Sequence, residues 1–219
     1  MLKKLPIPLL LLAFALPATA QDWSVGLHTG PFVFGDFVKR TLRLGNEGSS
    51  GESGTDILSA ATRAGAAVDV ERNFSDRWAL RIEGTATHSP MSVKGSTDDG
   101  FHIPAGDIDV GTLMLPIVFR INPHGALRFH IMGGPAYAAY HVTSGTNAFP
   151  VFVGTRTQWG AAFGGGVAWQ WSERLAVEGN LTDIVTSSPF REEDFPTRQN
   201  LEFPKTHNVH TTIGVRWRF

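Results

Sequence analysis

The sequence has no cysteine. That excludes a disulfide framework, a thiolate zinc site and a lipidated N-terminal cysteine. Charge is sparse, at 18% of residues, and balanced, since 19 Lys and Arg against 20 Asp and Glu leave a net charge of −1. There is thus no basic footprint for nucleic acid. Apart from one stretch at the N-terminus there is no long apolar run. A mean hydropathy of −0.05 is too low for a bundle of membrane helices. No long segment carries a 3.6-residue apolar period. The 24 glycines follow no Gly-X-Y repeat, which excludes collagen. Low charge with 11% aromatic residues argues against disorder.

The N-terminal stretch reads as a secretory signal over residues 1–20, leaving 21–219 as one domain. Lys3 and Lys4 form its positive region, Leu9 to Leu16 its apolar core, and Ala18-Thr19-Ala20 a small-x-small cleavage site before Gln21. The apolar run is shorter than the roughly 20 residues a spanning helix needs. The chain is therefore expected to be exported.

What the rest of the chain has is alternation. At the C-terminus Val209, Thr211, Ile213, Val215, Trp217 and Phe219 share one face, and Asn208, His210, Thr212, Gly214, Arg216 and Arg218 the other. A period of two is a strand with one apolar side, and this one is longer than the five or six residues usual in soluble sheets. The same period recurs over Trp23 to Gly30, Ala64 to Glu71, Trp78 to Ala86, Thr112 to Ile121, Leu127 to Met132, Gln158 to Trp171 and Leu175 to Thr182, giving eight strands. Three connections are tight, at 73–77, 122–125 and 172–174, and four are long and polar, at roughly 35–62, 88–107, 141–156 and 184–206. Eight up-and-down strands with both termini at one end leave three turns there and four loops at the other, as in outer-membrane barrels with short periplasmic turns and long extracellular loops.

The polar face alone would also suit a soluble lipocalin-like barrel with its apolar face as the core; the aromatic placement favours lipid. Trp23, Trp78, Trp169 and Trp171, with Phe119, Trp217 and Phe219, lie on the apolar face beside tight turns or a terminus. On a barrel they form an aromatic rim at the membrane interface. The polar face carries Glu71, Arg81, Glu83, Arg120, Arg128, Glu178, Arg216 and Arg218, expected as a paired charge network filling a narrow lumen, because eight strands enclose only enough space for side chains. Inward Gly160, Ala162, Gly164, Gly166 and Ala168 are expected to leave room for the arginines.

This pattern resembles the small OmpA/OmpX-type outer-membrane β-barrel family over nearly the whole mature chain. The ending Gly214-Val215-Arg216-Trp217-Arg218-Phe219 is similar to the signal read by the barrel-assembly machinery, with Val215, Trp217 and Phe219 as its elements. Leu113-Met114-Leu115-Pro116 resembles the Leu-x-Ile-Pro strand of related barrels, departing at Leu115. Phe74-Ser75-Asp76-Arg77-Trp78-Ala79-Leu80 is similar to a first periplasmic turn. The resemblance implies an eight-stranded antiparallel up-and-down transmembrane β-barrel in the outer membrane. It further implies outer-membrane lipid, lipopolysaccharide and the assembly machinery as partners, a surface ligand met through the loops, and a role in envelope integrity or surface interaction.

No catalytic, cofactor or metal site stands out. His88 and Ser89 are neighbours, so alternation sends them to opposite faces, and His207 on the lipid side has no Ser near it in sequence. His28, His130 and His210 all point inward. They read as polar filler rather than a metal or proton site. Asp98, Asp99, Asp107 and Asp109, and Glu192, Glu193 and Asp194, lie in or beside long loops without the spacing of a defined cation loop. The flexible, polar stretch Gly45 to Gly54 reads as a surface loop. Gly164-Gly165-Gly166 sits inside a strand pattern and is no phosphate loop. The expected function is a non-enzymatic outer-membrane barrel. A narrow small-solute pore is the alternative, and a lipid A-modifying enzyme is less favoured.

Overall fold

The computed structural model describes residues 23–44, 52–95, 102–143, 152–195 and 200–219. The leader, Asp98, Asp99 and most of the Gly45 to Gly54 stretch lie outside these residues. Twelve strands follow one another: β1 (Trp23–Phe34), β2 (Val38–Leu44), β3 (Glu52–Ala60), β4 (Arg63–Asn73), β5 (Trp78–Gly95), β6 (His102–Met114), β7 (Ile117–Arg120), β8 (Leu127–Thr143), β9 (Gly154–Gln170), β10 (Leu175–Thr186), β11 (Leu201–Glu202) and β12 (Thr206–Arg218).

Eight of these positions close a ring in which every neighbour is antiparallel. The order is β1, β4, β5, then β6 and β7 together, β8, β9, β10, β12 and back to β1. The closing seam runs from Ser24 opposite Arg218 to Phe34 opposite Asn208. Closure satisfies every strand edge internally, which is what a spanning sheet requires. β6 and β7 are one strand interrupted at Leu115 and Pro116. Proline has no N–H to give the ladder, and the gap is bridged by its carbonyl, which accepts from Arg81 N at 3.0 Å, and by Leu115 N donating to Pro135 O at 3.0 Å.

The three tight turns are written into their residues. Ser75 Oγ accepts from Trp78 N at 3.1 Å. Asn122 Oδ1 accepts from Phe129 N at 2.6 Å while its amide donates to Leu127 O at 2.7 Å. Gly125 takes a φ of 102°, in the left-handed region that side chains disfavour. Ser172 Oγ accepts from Leu175 N at 3.2 Å.

Two of the four segments expected as long loops, 35–62 and 88–107, are largely strand among the described residues, which corrects the sequence reading there, while 141–156 and 184–206 are strand mainly at their ends. β5 has 18 residues, and β8 and β9 have 17 each, well beyond the roughly nine to eleven that cross hydrocarbon. Segment 35–62 contains the β2–β3 hairpin. β3 takes over the edge of β5 where β4 stops, from Ala60 opposite Met91 to Asp56 opposite Gly95, and β11 adds to β2. The barrel therefore continues past its apolar belt as a second, taller storey. Asp107 and Asp109 belong to β6, and Glu192–Asp194 is a single 3-10 turn.

Candidate functional site

Side chains divide the lumen into two halves. Near the tight turns it is ionic. Arg81, on β5, is fully buried and places Nη2 at 2.8 Å from Glu71 Oε2 and 2.9 Å from Glu178 Oε1. Arg216 comes from β12, with Nη2 at 2.7 Å from Glu178 Oε2 and Nη1 at 2.8 Å from Asp69 Oδ1. Arg120 pairs with Glu71 and donates to Asn73 Oδ1 at 2.5 Å. Glu83 sits farther out, 3.8 Å from Arg81 Nη1. Arg128 and Arg218, expected in the same network, line both its small cavity and the mouth, but make no ion pair among the described residues.

Two histidines join this layer. His28 Nε2 lies 2.8 Å from Asp69 Oδ2, and His130 Nε2 lies 3.0 Å from Asn180 Oδ1. Asp69, His28, His130 and Asn180 were legible as inward by their parity, but not as members of this cluster. Cross-strand register and barrel stagger decide which inward groups share a level. The space at Gly166 corrects an expectation too. A Cβ there would come within 2.3 Å of Asn180 Oδ1 and 2.8 Å of His130 Cε1, so the gap serves that pair and not an arginine. The remaining cavity in this layer is about 40 Å³, room for a few waters at ~10–15 Å³ each.

Above it lies a band of hydroxyls and small apolar groups. Thr85 and Thr112 hydroxyls are 2.6 Å apart, and Met114, Ala136, Ala162 and Ile184 pack together. Here His210 stacks on Phe32 at 4.8 Å with the rings 14° from parallel. His28, His130 and His210 do not converge, and no group of three candidate metal ligands occurs among the described residues.

The far half of the lumen is apolar. Phe32, Phe34, Phe37, Leu58, Met91, Ile108, Val110, Tyr140, Val142, Phe190 and Phe195 form one buried cluster, with Phe203 packed against it. Phe37 is fully buried, with ring centroids 5.8 Å from Phe190 and 6.3 Å edge-on from Tyr140. The Tyr140 hydroxyl is 2.8 Å from Thr186 Oγ1 and accepts from Asn208 Nδ2 at 2.8 Å. The segment after β10 folds over this cluster as a cap. Ser188 Oγ donates to Phe37 O at 2.8 Å, and Arg156 pairs with Asp194 and donates to Pro189 O at 3.0 Å. Asp194 is thus committed to an arginine, not free for a cation.

The outer wall inverts in step. Around the ionic half it is apolar: Leu27, Leu113, Ile131, Phe163, Leu181 and Ile213 are all at least half exposed. At the tight-turn end Trp78 packs on Phe119 at 4.7 Å and Trp169 on Trp171 at 5.3 Å, while Trp23 lies outward with Arg72 5.5 Å above its ring. Val215, Trp217 and Phe219 face outward on the last strand and beyond it. Around the apolar half the wall is mainly polar, with Val33, Ile103 and Val153 as exposed apolar exceptions. His88, Asp109, His141 and Thr155 are neighbours in one row across four strands, with His88 Nδ1 2.7 Å from Asp109 and His141 Nδ1 2.7 Å from Thr155. His207 and Asp183 make a similar pair at 2.7 Å. Ser89, by contrast, is buried inside and donates to Ala61 O at 2.5 Å.

This arrangement defines a fold class, the eight-stranded up-and-down antiparallel β-barrel. Two solved structures share the fold. Outer membrane protein OprG from Pseudomonas aeruginosa matches at 11% identity and a TM-score of 0.58, over 90% of this chain and 95% of that one. Neisserial surface protein A matches at 9% identity and a TM-score of 0.53, over 90% and 97% respectively. No protein-family model matches the sequence, and no curated protein does.

Proposed function

We propose that the chain is a closed, non-conducting outer-membrane barrel whose second storey stands above the lipid as a contact surface. The observation that carries this reading is the matched inversion of inside and outside. Where the wall is apolar the lumen is ionic, and where the wall is polar the lumen is an apolar core. The first condition suits a surround of hydrocarbon, the second a surround of water. The lumen is filled at two levels, by the Arg81 cluster and by the Phe37 cluster, which favours a plug over a pore. The indoles of Trp23, Trp78, Trp169 and Trp171 then sit at the periplasmic interface, and the row from His88 to Thr155 at the level of outer-leaflet head groups, where lipopolysaccharide is the lipid partner. Val215, Trp217 and Phe219 act as the signal for the assembly machinery.

Planar-bilayer recording of the purified chain should show no steady steps of current, and sustained conductance would favour the pore reading. Protease added to intact cells should cut within 35–62 and spare the tight turns, and the opposite pattern would reverse the orientation. Deleting Phe219 should sharply reduce the heat-modifiable, folded form in outer-membrane fractions, and normal insertion would remove its role. Lipid A with and without the protein should have the same acyl pattern by mass spectrometry; a difference would make the chain an enzyme.

A further inference from the structure

The ionic layer does not use all of its arginines. Asp69, Glu71, Glu83 and Glu178 are answered by Arg81, Arg216 and Arg120. Arg128 and Arg218 remain, from β8 and β12. The Arg128 guanidinium donates only to Gly125 O, at 3.3 Å, and among the described residues neither side chain meets a carboxylate. A guanidinium cannot shed its charge, so both stay cationic where the barrel walls hold them close.

They face a hollow of about 340 Å³ at the tight-turn end, lined also by Arg120, His124, Phe74 and Asp76. Arg120 reaches it while anchored to Glu71 and Asn73. The volume falls within the range of small-ligand sites, about 300–1,000 Å³. Surplus charge of one sign in a recess with low-dielectric walls concentrates counter-ions there. Guanidinium forks match phosphate oxygens two at a time, and the Phe74 and His124 rings give a second, apolar contact beside them.

We propose that this hollow is a binding site for a small soluble phosphate-bearing anion, clamped by Arg128 and Arg218 with Arg120 in support. Only the compartment, the periplasm, rests on the orientation proposed above. The binding itself does not.

The test uses the full chain folded in zwitterionic detergent, with inorganic pyrophosphate as the probe in isothermal titration. Saturable one-site binding is expected. Arg128→Gln and Arg218→Gln should each weaken it at least tenfold, and Arg77→Gln, on the nearby exposed turn, should leave it unchanged. Non-saturating heats, or equal loss in Arg77→Gln, would overturn the site. Should either variant fail to fold by heat-modifiable migration, the native chain answers directly. Pyrophosphate should protect Arg128 and Arg218, but not Arg77, from phenylglyoxal as read by mass spectrometry, and absence of that protection would refute the proposal. The same protection arising in phosphatidylglycerol nanodiscs without pyrophosphate, and not in phosphatidylcholine ones, would make the ligand a lipid head group and overturn the soluble anion. A reversed barrel would leave all of these results intact and appear only in the protease experiment on cells.

Discussion

Around Arg81 the interior is held by converging charges from β4, β5, β10 and β12. Around Phe37 it is held by aromatic rings from β1, β8 and the cap after β10. β1, β5 and β8 contribute to both, through His28, Arg81 and His130 below and Phe32, Met91 and Tyr140 above, with the same inward parity. What changes, on the function proposed above, is the solvent outside. Where lipid surrounds the wall, apolar side chains gain nothing by turning inward, and the lumen is left to groups that bond each other. Where water surrounds it, the hydrophobic effect again drives apolar groups inside. The two halves should therefore fail differently when damaged.

The largest effect is expected in the ionic half. Breaking one member of a buried ion network strands the others, at about 3–5 kcal/mol. Glu178→Ala leaves Arg81 and Arg216 short of a shared partner, so urea unfolding from lipid vesicles should show a loss of that size. Glu178→Gln should lose less, because the amide oxygen still accepts. A loss below about 1 kcal/mol would mean that water, not protein, balances these arginines.

Phe37→Ala comes next, at about 3 kcal/mol for a large buried ring. The damage should stay local. Hydrogen exchange should speed up in β2, β3 and the upper ends of β5 and β8, while amides near His130 and Glu178 keep their protection. Uniform loss of protection would show that the second storey is not a separate core. Tyr140→Phe, which keeps the ring and removes a hydroxyl bonded to Thr186 and Asn208, should cost about 1–2 kcal/mol in the same unfolding assay.

The sequence made one of these halves far plainer than the other. All eight ring strands follow from alternation, and every residue expected on the charged face is on it. Phe32, Phe34, Ile108, Tyr140 and Val142 were just as regular, but on the opposite parity. The period of two continues through them while its sense reverses, and a search for apolar residues on the original outer face reads that reversal as the end of a strand. Hence the strand parts of 35–62 and 88–107 read as loops from the sequence. Within the ionic half, alternation says which residues point inward but not which meet. That depends on stagger around the ring, so the meeting of His28 with Asp69 is not legible, nor is the position of Arg128 and Arg218 outside the ion pairs.

The smallest expected quantity is the most discriminating. The Phe37 and Glu178 clusters share no residue, and the hydroxyl and small-residue band of Thr85, Thr112, Ala136 and Ala162 lies between them. Substitutions at well-separated sites without common partners add to within about 0.3–0.5 kcal/mol. A double-mutant cycle of Glu178→Ala with Phe37→Ala, followed by urea unfolding, should therefore give a coupling energy below about 0.5 kcal/mol. His210 is the natural route for a larger value, because it stacks on Phe32 of the apolar cluster from within the intervening band. Coupling well above that limit, abolished by His210→Ala, would show that ring carrying strain between the halves, and the lumen would then be one cooperative unit despite its two chemistries.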